Sequence, residues 1–182
     1  LWKANKAQYI SSGWRELPVP VIIAMHGRCW GGGMQISLGA DFRITTPDAN
    51  ISIMEAKWGL IPDMGGTLGL RELVSQDVAK ELAMTAKNVS GEEAKTIGLV
   101  THLADDPVKA AFEMAETIKK QNPDAVAAVK KLYNKSWWSS QGMVLARESW
   151  YQVCVLMSKN YRIKGYNQVN EKQREFLPRK KW

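Results

Sequence analysis

A short apolar run leads into three consecutive glycines, and this stretch constrains the fold of the 182-residue chain more than any other. Residues 19–25 (VPVIIAM) have the length and character of a buried strand. A turn follows, then Gly31-Gly32-Gly33, then a short helix at 34–38. Glycine permits close approaches that a Cβ would prevent, and a helix start carries unpaired N–H groups. The stretch therefore predicts either a tight packing turn or backbone amides that face an anion or a developing oxyanion.

Composition and motifs disfavour several other kinds of site. No Lys-Ser/Thr pair follows the glycines as it would in a P-loop. Two cysteines and two histidines are too few for a usual metal site, and two distant thiols favour a cytoplasmic or other reducing compartment. No apolar run approaches the ~18 residues of a membrane span. The net charge of +7 would attract the phosphate groups of an anionic ligand or of nucleic acid. No zinc-finger, RRM or helix-turn-helix signature supports nucleic acid as the partner.

The predicted strands come early in the chain and the predicted helices accumulate late, which favours an α/β core with a helical C-terminal extension. Ser90, followed by Glu93 three residues on, predicts a capped helix that ends at Gly98. The remaining predicted strands are 41–45, 51–54 and 99–103, and the remaining predicted helices are 3–17, 67–74, 77–87, 107–121, 123–136, 141–160 and 171–176.

A series of ordered motifs between about residues 18 and 103 resembles the crotonase (enoyl-CoA hydratase/isomerase) family. The resemblance implies an α/β fold, a crotonase-like spiral of β-β-α turns followed by helices used for trimer assembly. The motifs are LPVPVIIAMHG at 17–27, WGGGMQ at 30–35, GADFRI at 39–44, IMEAKWGLIPDMGGT at 53–67, LAMTAK at 82–87 and SGEEAKTIGLV at 90–100.

The same resemblance implies a division of the chain into two parts. Residues 1–103 would form a partial spiral core that lacks the family's N-terminal strands, which carry the first oxyanion-hole donor and much of the coenzyme A contact. Residues 104–182 would form the helical region of a homotrimer or a dimer of trimers. In that region Trp137, Trp138, Trp150 and Tyr151 would be interface or pocket aromatics, or would simply pack between helices. The expected partner is an acyl-CoA substrate, with no metal and no cofactor beyond its coenzyme A.

Four residues correspond to the positions at which the family carries out its chemistry. The resemblance implies that the Gly32 amide stabilises the oxyanion of an acyl-CoA thioester. Hydratases of the family have one Glu where Gln35 stands and a second at Glu55, and glutamine cannot exchange a proton at neutral pH. We therefore expect Glu55 to carry the proton and Gln35 to orient substrate or water. Asp63 lies where diene-shifting members place an Asp, and is a candidate second acid/base.

These residues favour double-bond isomerisation over hydration, because one carboxylate suffices to move a proton along an acyl chain. Three alternatives stay open. Hydration needs two groups to hold and deprotonate a water. A catalytically inactive homologue would bind acyl-CoA, or act as a scaffold, without turnover. Binding of RNA through the basic helices would show a steep dependence on salt.

Overall fold

The computed structural model describes residues 3–180, which form two compact units. The first unit comprises residues 3–17 and 21–113, and the second comprises residues 18–20 and 114–180. Within residues 3–180, no helix is long and apolar enough to cross a membrane.

The elements follow one another in an order close to that expected from the sequence. The strands are β1 (Ile22–Met25), β2 (Arg28–Trp30), β3 (Phe42–Thr45), β4 (Asn50–Ser52), β5 (Val89–Ser90) and β6 (His102–Leu103). The helices are α1 (Lys6–Ser12), α2 (Gly32–Ser37), α3 (Gly66–Leu73), α4 (Gln76–Thr85), α5 (Gly91–Thr96), α6 (Pro107–Lys119), α7 (Pro123–Ser136), α8 (Gln141–Leu156) and α9 (Lys159–Val169), with short 3-10 helices at Gly13–Glu16 and Glu55–Trp58.

The strands of the first unit form two three-stranded sheets, between which the chain passes back and forth. One sheet has the order β1-β3-β6 with parallel pairing throughout. The other has the order β2-β4-β5, in which β2 and β4 are parallel and β4 and β5 are antiparallel. Strands β1 and β2 add one strand to each sheet, and β3 and β4 then do the same. This is the repeating turn that the family resemblance implied.

Parallel pairing of β2 with β4 brings two distant parts of the chain to the same sheet edge. Trp30 is in register with Ser52, and the Gly31 amide extends the ladder by donating to the Ser52 carbonyl at 2.9 Å. Parallel strands end at the same edge, so the chain that leaves β2 and the chain that leaves β4 start side by side. The glycine triplet and the segment that contains Glu55 are therefore neighbours because of strand register.

Helix α2 anchors this edge to the apolar core. Met34 and Leu38 are buried on its inner side, together with Ile51 and Ile53 from the β4 segment. Helix α3 packs closely on the end of α2, since a Cβ at Gly69 would lie 2.4 Å from the Leu38 carbonyl oxygen. This contact fixes the position of the loop that precedes α3.

Three predictions about secondary structure are wrong. Residues 28–30 form strand β2, where a turn was expected, because their backbone pairs with β4. The helix expected at 171–176 is absent. The helix expected at 141–160 ends at Leu156, and a separate helix, α9, follows it. Ser158 caps the start of α9, since its hydroxyl accepts a hydrogen bond from the Tyr161 amide at 3.1 Å. The predicted Ser90 cap is confirmed, since its hydroxyl accepts from the Glu93 amide at 3.0 Å.

The second unit contains a groove of about 520 Å³ between α7 and α8. Small residues such as Ala125 and Ala128 form one wall, and Tyr151 and Val155 contribute to the other. Of the four aromatic residues singled out in the sequence, Tyr151 is buried, whereas the other three are about 60% exposed: Trp137, Trp138 and Trp150.

Candidate active site

The side chains of Gln35 and Glu55 meet beside the glycine triplet. Gln35 lies on α2, and Glu55 opens the 3-10 helix that follows β4. Nε2 of Gln35 donates a hydrogen bond of 2.5 Å to Oε1 of Glu55. Both side chains are buried, with 1% and 9% of their respective surfaces exposed. The structure thus brings together two of the four residues that the sequence singled out.

The orientation of the Gln35 amide is fixed by the loop before α3. Its Oε1 accepts hydrogen bonds from the Met64 amide at 2.8 Å and the Gly66 amide at 3.4 Å. Backbone N–H groups can only donate, so the atom that faces them must be the oxygen of the side-chain amide. The nitrogen must then face Glu55, whose carboxylate accepts the hydrogen bond that the amide N–H donates.

The second carboxylate oxygen of Glu55, Oε2, is buried and has no hydrogen-bond partner among the described residues. A buried oxygen without a partner costs free energy, on the order of 1–3 kcal/mol. Such costs are found at functional sites, where a ligand or water completes the contact. Oε2 of Glu55 is therefore the atom of this site that is best placed to act on a ligand.

Glycine is required at two positions around this carboxylate. Gly31 has φ +51°, and an ideal Cβ there would lie 3.4 Å from Oε1 of Glu55. A Cβ at Gly66 would lie 2.9 Å from Cγ of Gln35. The first glycine lets the backbone pass against the carboxylate, and the second lets the loop close on the amide that holds it.

Gly32 is the first residue of α2, so its amide has no acceptor within the helix. The ladder bond at this point of the chain belongs to its neighbour Gly31. The thioether sulfur of Met64 lies 3.1 Å from the position of an ideal Cβ on Gly32. The Met64 side chain therefore occupies the space beside the bare Cα of Gly32, while its backbone amide binds Gln35.

Asp63 is located in the same loop but is not drawn into the buried pair. Its side chain is exposed, while the adjacent Met64 amide binds Gln35. Sequence reasoning singled out the triplet that contains Gly31, but it missed Met64 and Gly66 as parts of the site. The signal that could have found them is the double glycine Gly65-Gly66 at a helix start, which indicates close backbone approach.

Other chemistries find no support at this site. Among residues 3–180, no group of three or more His, Cys, Asp or Glu side chains is arranged to hold a metal ion. Cys29 lies on β2, and burial raises the pKa of its thiol despite a hydrogen bond with Ser37 that lowers it. A thiol with a raised pKa has little thiolate at neutral pH, so Cys29 is suited to packing.

Comparisons with known proteins agree with the geometry. The profile of the Enoyl-CoA hydratase/isomerase family matches residues 4–177. Carnitinyl-CoA dehydratase from Salmonella typhi is 36% identical over 120 residues, which are 65% of this chain and 46% of that protein. The chain thus spans about half the length of the curated relatives it matches.

Solved structures give the same answer. An enoyl-CoA hydratase from Polaromonas sp. JS666 superposes with a TM-score of 0.85 at 27% identity, over 94% of this chain and 67% of that one. An enoyl-CoA hydratase from Mycobacterium tuberculosis H37Rv superposes with a TM-score of 0.83 at 31% identity, over 91% of this chain and 67% of that one. The fold expected from the sequence motifs is confirmed, and the chain belongs to the enoyl-CoA hydratase/isomerase (crotonase) family.

Proposed function

We propose that this protein acts on acyl-CoA thioesters, and that Glu55 moves a proton while the Gly32 amide stabilises the enolate. The observation that carries the proposal is the buried Oε2 of Glu55, which has no hydrogen-bond partner within residues 3–180, on a carboxylate that abuts Gly31. Because no described donor competes for this carboxylate oxygen, Oε2 can accept a proton from a ligand. Coenzyme A enters as part of the substrate.

The proposed isomerisation proceeds in two proton transfers. Oε2 of Glu55 takes a proton from C2 of a 3-enoyl thioester, and the electrons of that C–H bond delocalise onto the thioester oxygen as a dienolate. The Gly32 N–H donates to this oxygen, a contact worth about 2.7–4 kcal/mol of transition-state stabilisation in comparable enzymes. Glu55 then returns the proton to C4, which leaves a 2-enoyl thioester and a regenerated carboxylate.

Isomerisation is favoured over hydration because residue 35 is a glutamine. Hydration needs a water that is held and deprotonated while a proton reaches the other carbon of the double bond. Gln35 cannot take or give that proton at neutral pH. Hydration or dehydration is the second candidate, and the names of the relatives, carnitinyl-CoA dehydratase and enoyl-CoA hydratase, favour it.

Asp63 is proposed as a second acid/base that exchanges protons with substrate near the exposed side of the loop. Its exposed carboxylate and its place next to Met64 support this role. Asp63→Asn would then lower turnover without affecting the free energy of unfolding, whereas a purely structural Asp63 would leave turnover unchanged.

The test of the function is to assay the purified protein with 3-enoyl-CoA and 2-enoyl-CoA. The proposal expects conversion of the 3-enoyl to the 2-enoyl compound to exceed hydration of the 2-enoyl compound. The reverse order would assign the second candidate, and binding of both compounds without turnover would assign an inactive homologue.

The assembly is proposed to be a homotrimer or a dimer of trimers, formed through the helices after residue 104. The exposed Trp137, Trp138 and Trp150 support an interface, since large exposed aromatics are enriched at such surfaces. Light scattering coupled to size-exclusion chromatography should give three or six times the mass of 20.4 kDa, and a monomer would contradict this.

A further inference from the structure

The side chain of Gln35 is almost wholly occupied by contacts within the protein. Its oxygen accepts from two backbone amides, those of Met64 and Gly66, and its nitrogen donates to Glu55. A primary amide has two acceptor lone pairs and two N–H donors. Both lone pairs are therefore in use, and a single N–H remains.

The amide cannot be turned round to free its oxygen. Reversal would place the NH₂ group against two backbone N–H donors and the oxygen against the carboxylate of Glu55. Three hydrogen bonds would become three repulsive contacts inside a buried site, where unpaired polar groups are costly. The orientation is thus set by the protein and does not depend on a ligand.

A water that adds to a double bond must give a hydrogen to an acceptor. Gln35 has no acceptor left, so Oε2 of Glu55 is the acceptor available at this pair. We infer that Gln35 is a positioning residue, which fixes the carboxylate of Glu55 and makes the site prefer proton transfer along the acyl chain to addition of water. This inference rests on the proposed role of Glu55.

The same glutamine also fixes one wall of the site. Through the Met64 amide it holds the residue whose thioether lies against Gly32. Loss of the amide would therefore disturb the base and the oxyanion glycine together. A misplacement of about 1 Å can cost on the order of 100-fold in rate while distant substrate contacts persist.

The experiment compares Gln35→Met, which keeps the size but loses the hydrogen bonds, with Gln35→Glu, which keeps the acceptor for Met64 and Gly66. Gln76→Met, at an exposed position at the start of α4, is the matched control. For each protein we would measure kcat and KM for 3-enoyl-CoA and the ratio of hydration to isomerisation. In substrate-free protein we would measure hydrogen exchange of the Gln35 side-chain amide by NMR, with and without Glu55→Ala.

Gln35→Met should lower kcat about 100-fold with KM unchanged, and Gln76→Met should leave both as in wild type. Gln35→Glu should raise the ratio of hydration to isomerisation about 100-fold, because a second carboxylate can then exchange protons with water. This ratio decides the question should Gln35→Met fail to fold. A Gln35→Met enzyme with wild-type kcat, or a Gln35→Glu enzyme with an unchanged ratio, would overturn the inference.

The NMR measurement separates this inference from the proposed function. If the Gln35 side-chain amide exchanges slowly and Glu55→Ala removes this protection, the positioning contact is supported, even when the protein turns over neither substrate. A lack of turnover would overturn the proposed function alone. Exchange as fast as that of the Gln76 amide would overturn the positioning contact whatever the activity.

Discussion

Nε2 of Gln35 lies 2.5 Å from Oε1 of Glu55, although 20 residues separate them in the chain. The contact arises from the parallel register of β2 and β4, which brings the ends of both strands to one sheet edge. It consumes one oxygen of the carboxylate and leaves the other buried without a partner among the described residues. The chemistry proposed for this protein depends on that asymmetry between the two oxygens of Glu55.

Gly31→Ala should damage both stability and activity. Its φ of +51° is strained for any residue with a Cβ, and that Cβ would stand in van der Waals contact with Oε1 of Glu55, at 3.4 Å. We expect a loss of about 1–3 kcal/mol in the free energy of unfolding, measured with urea, and a fall in kcat.

The neighbouring glycine provides the matched control for this change. A Cβ on Gly33 would meet no atom of the described part of the chain within 4 Å, and the φ of Gly33 is not in the left-handed region. Gly33→Ala should therefore leave the protein folded and gain about 0.5–1 kcal/mol from helix propensity. Equal effects of the two substitutions would show that the backbone at Gly31 is not constrained in the way described.

The strand and helix periodicities were predictable from the sequence, because they depend on local patterns such as the run at 19–25 and the cap at Ser90. Strand β2 was not, since Arg28, Cys29 and Trp30 become a strand only by pairing with β4. A three-residue strand has too little local pattern to be told from a turn.

Glu55 and Gln35 were identifiable from motifs, but their contact was not. The motifs give the spacing of the two residues, whereas the orientation of the Gln35 amide depends on Met64 and Gly66, about 30 residues after Gln35.

The final helix expected at 171–176 fails for a related reason. Within that segment the Asn167 side chain binds both the amide and the carbonyl of Arg174. Directly after it, the Asn160 side chain binds the amide and the carbonyl of Leu177 in the same way.

Those bonds predict that Asn160 fastens the C-terminal segment. Asn160 is 2% exposed, and its amide both donates to the Leu177 carbonyl and accepts from the Leu177 amide. Asn160→Ala should release this segment and speed tryptic cleavage after Arg174 and Arg179, as followed by mass spectrometry. Asn88→Ala, at an exposed position, should leave the cleavage rate unchanged. A segment that stays as resistant in Asn160→Ala as in wild type would contradict the contact.

The Cys29 thiol should react slowly with iodoacetamide. Burial raises the pKa of this thiol above its ordinary value of 9.0, so the reactive thiolate fraction at pH 8 is lower than that of free cysteine. In a Cys154→Ser protein, which leaves only Cys29, the pH at which alkylation reaches half its maximal rate should lie above 9. A half-maximal rate at or below pH 9 would show that the thiol is not buried as described.

The most direct test of the account is the exchange of C2 and C4 hydrogens of 3-enoyl-CoA with solvent in D₂O, compared between wild type and Glu55→Gln. This measures proton transfer itself, whichever product is finally released. The account predicts that Glu55→Gln, which keeps the size and the burial of the side chain, lowers the exchange rate about 10²–10⁴-fold. Exchange at the wild-type rate in Glu55→Gln would contradict the central claim that Glu55 carries the proton.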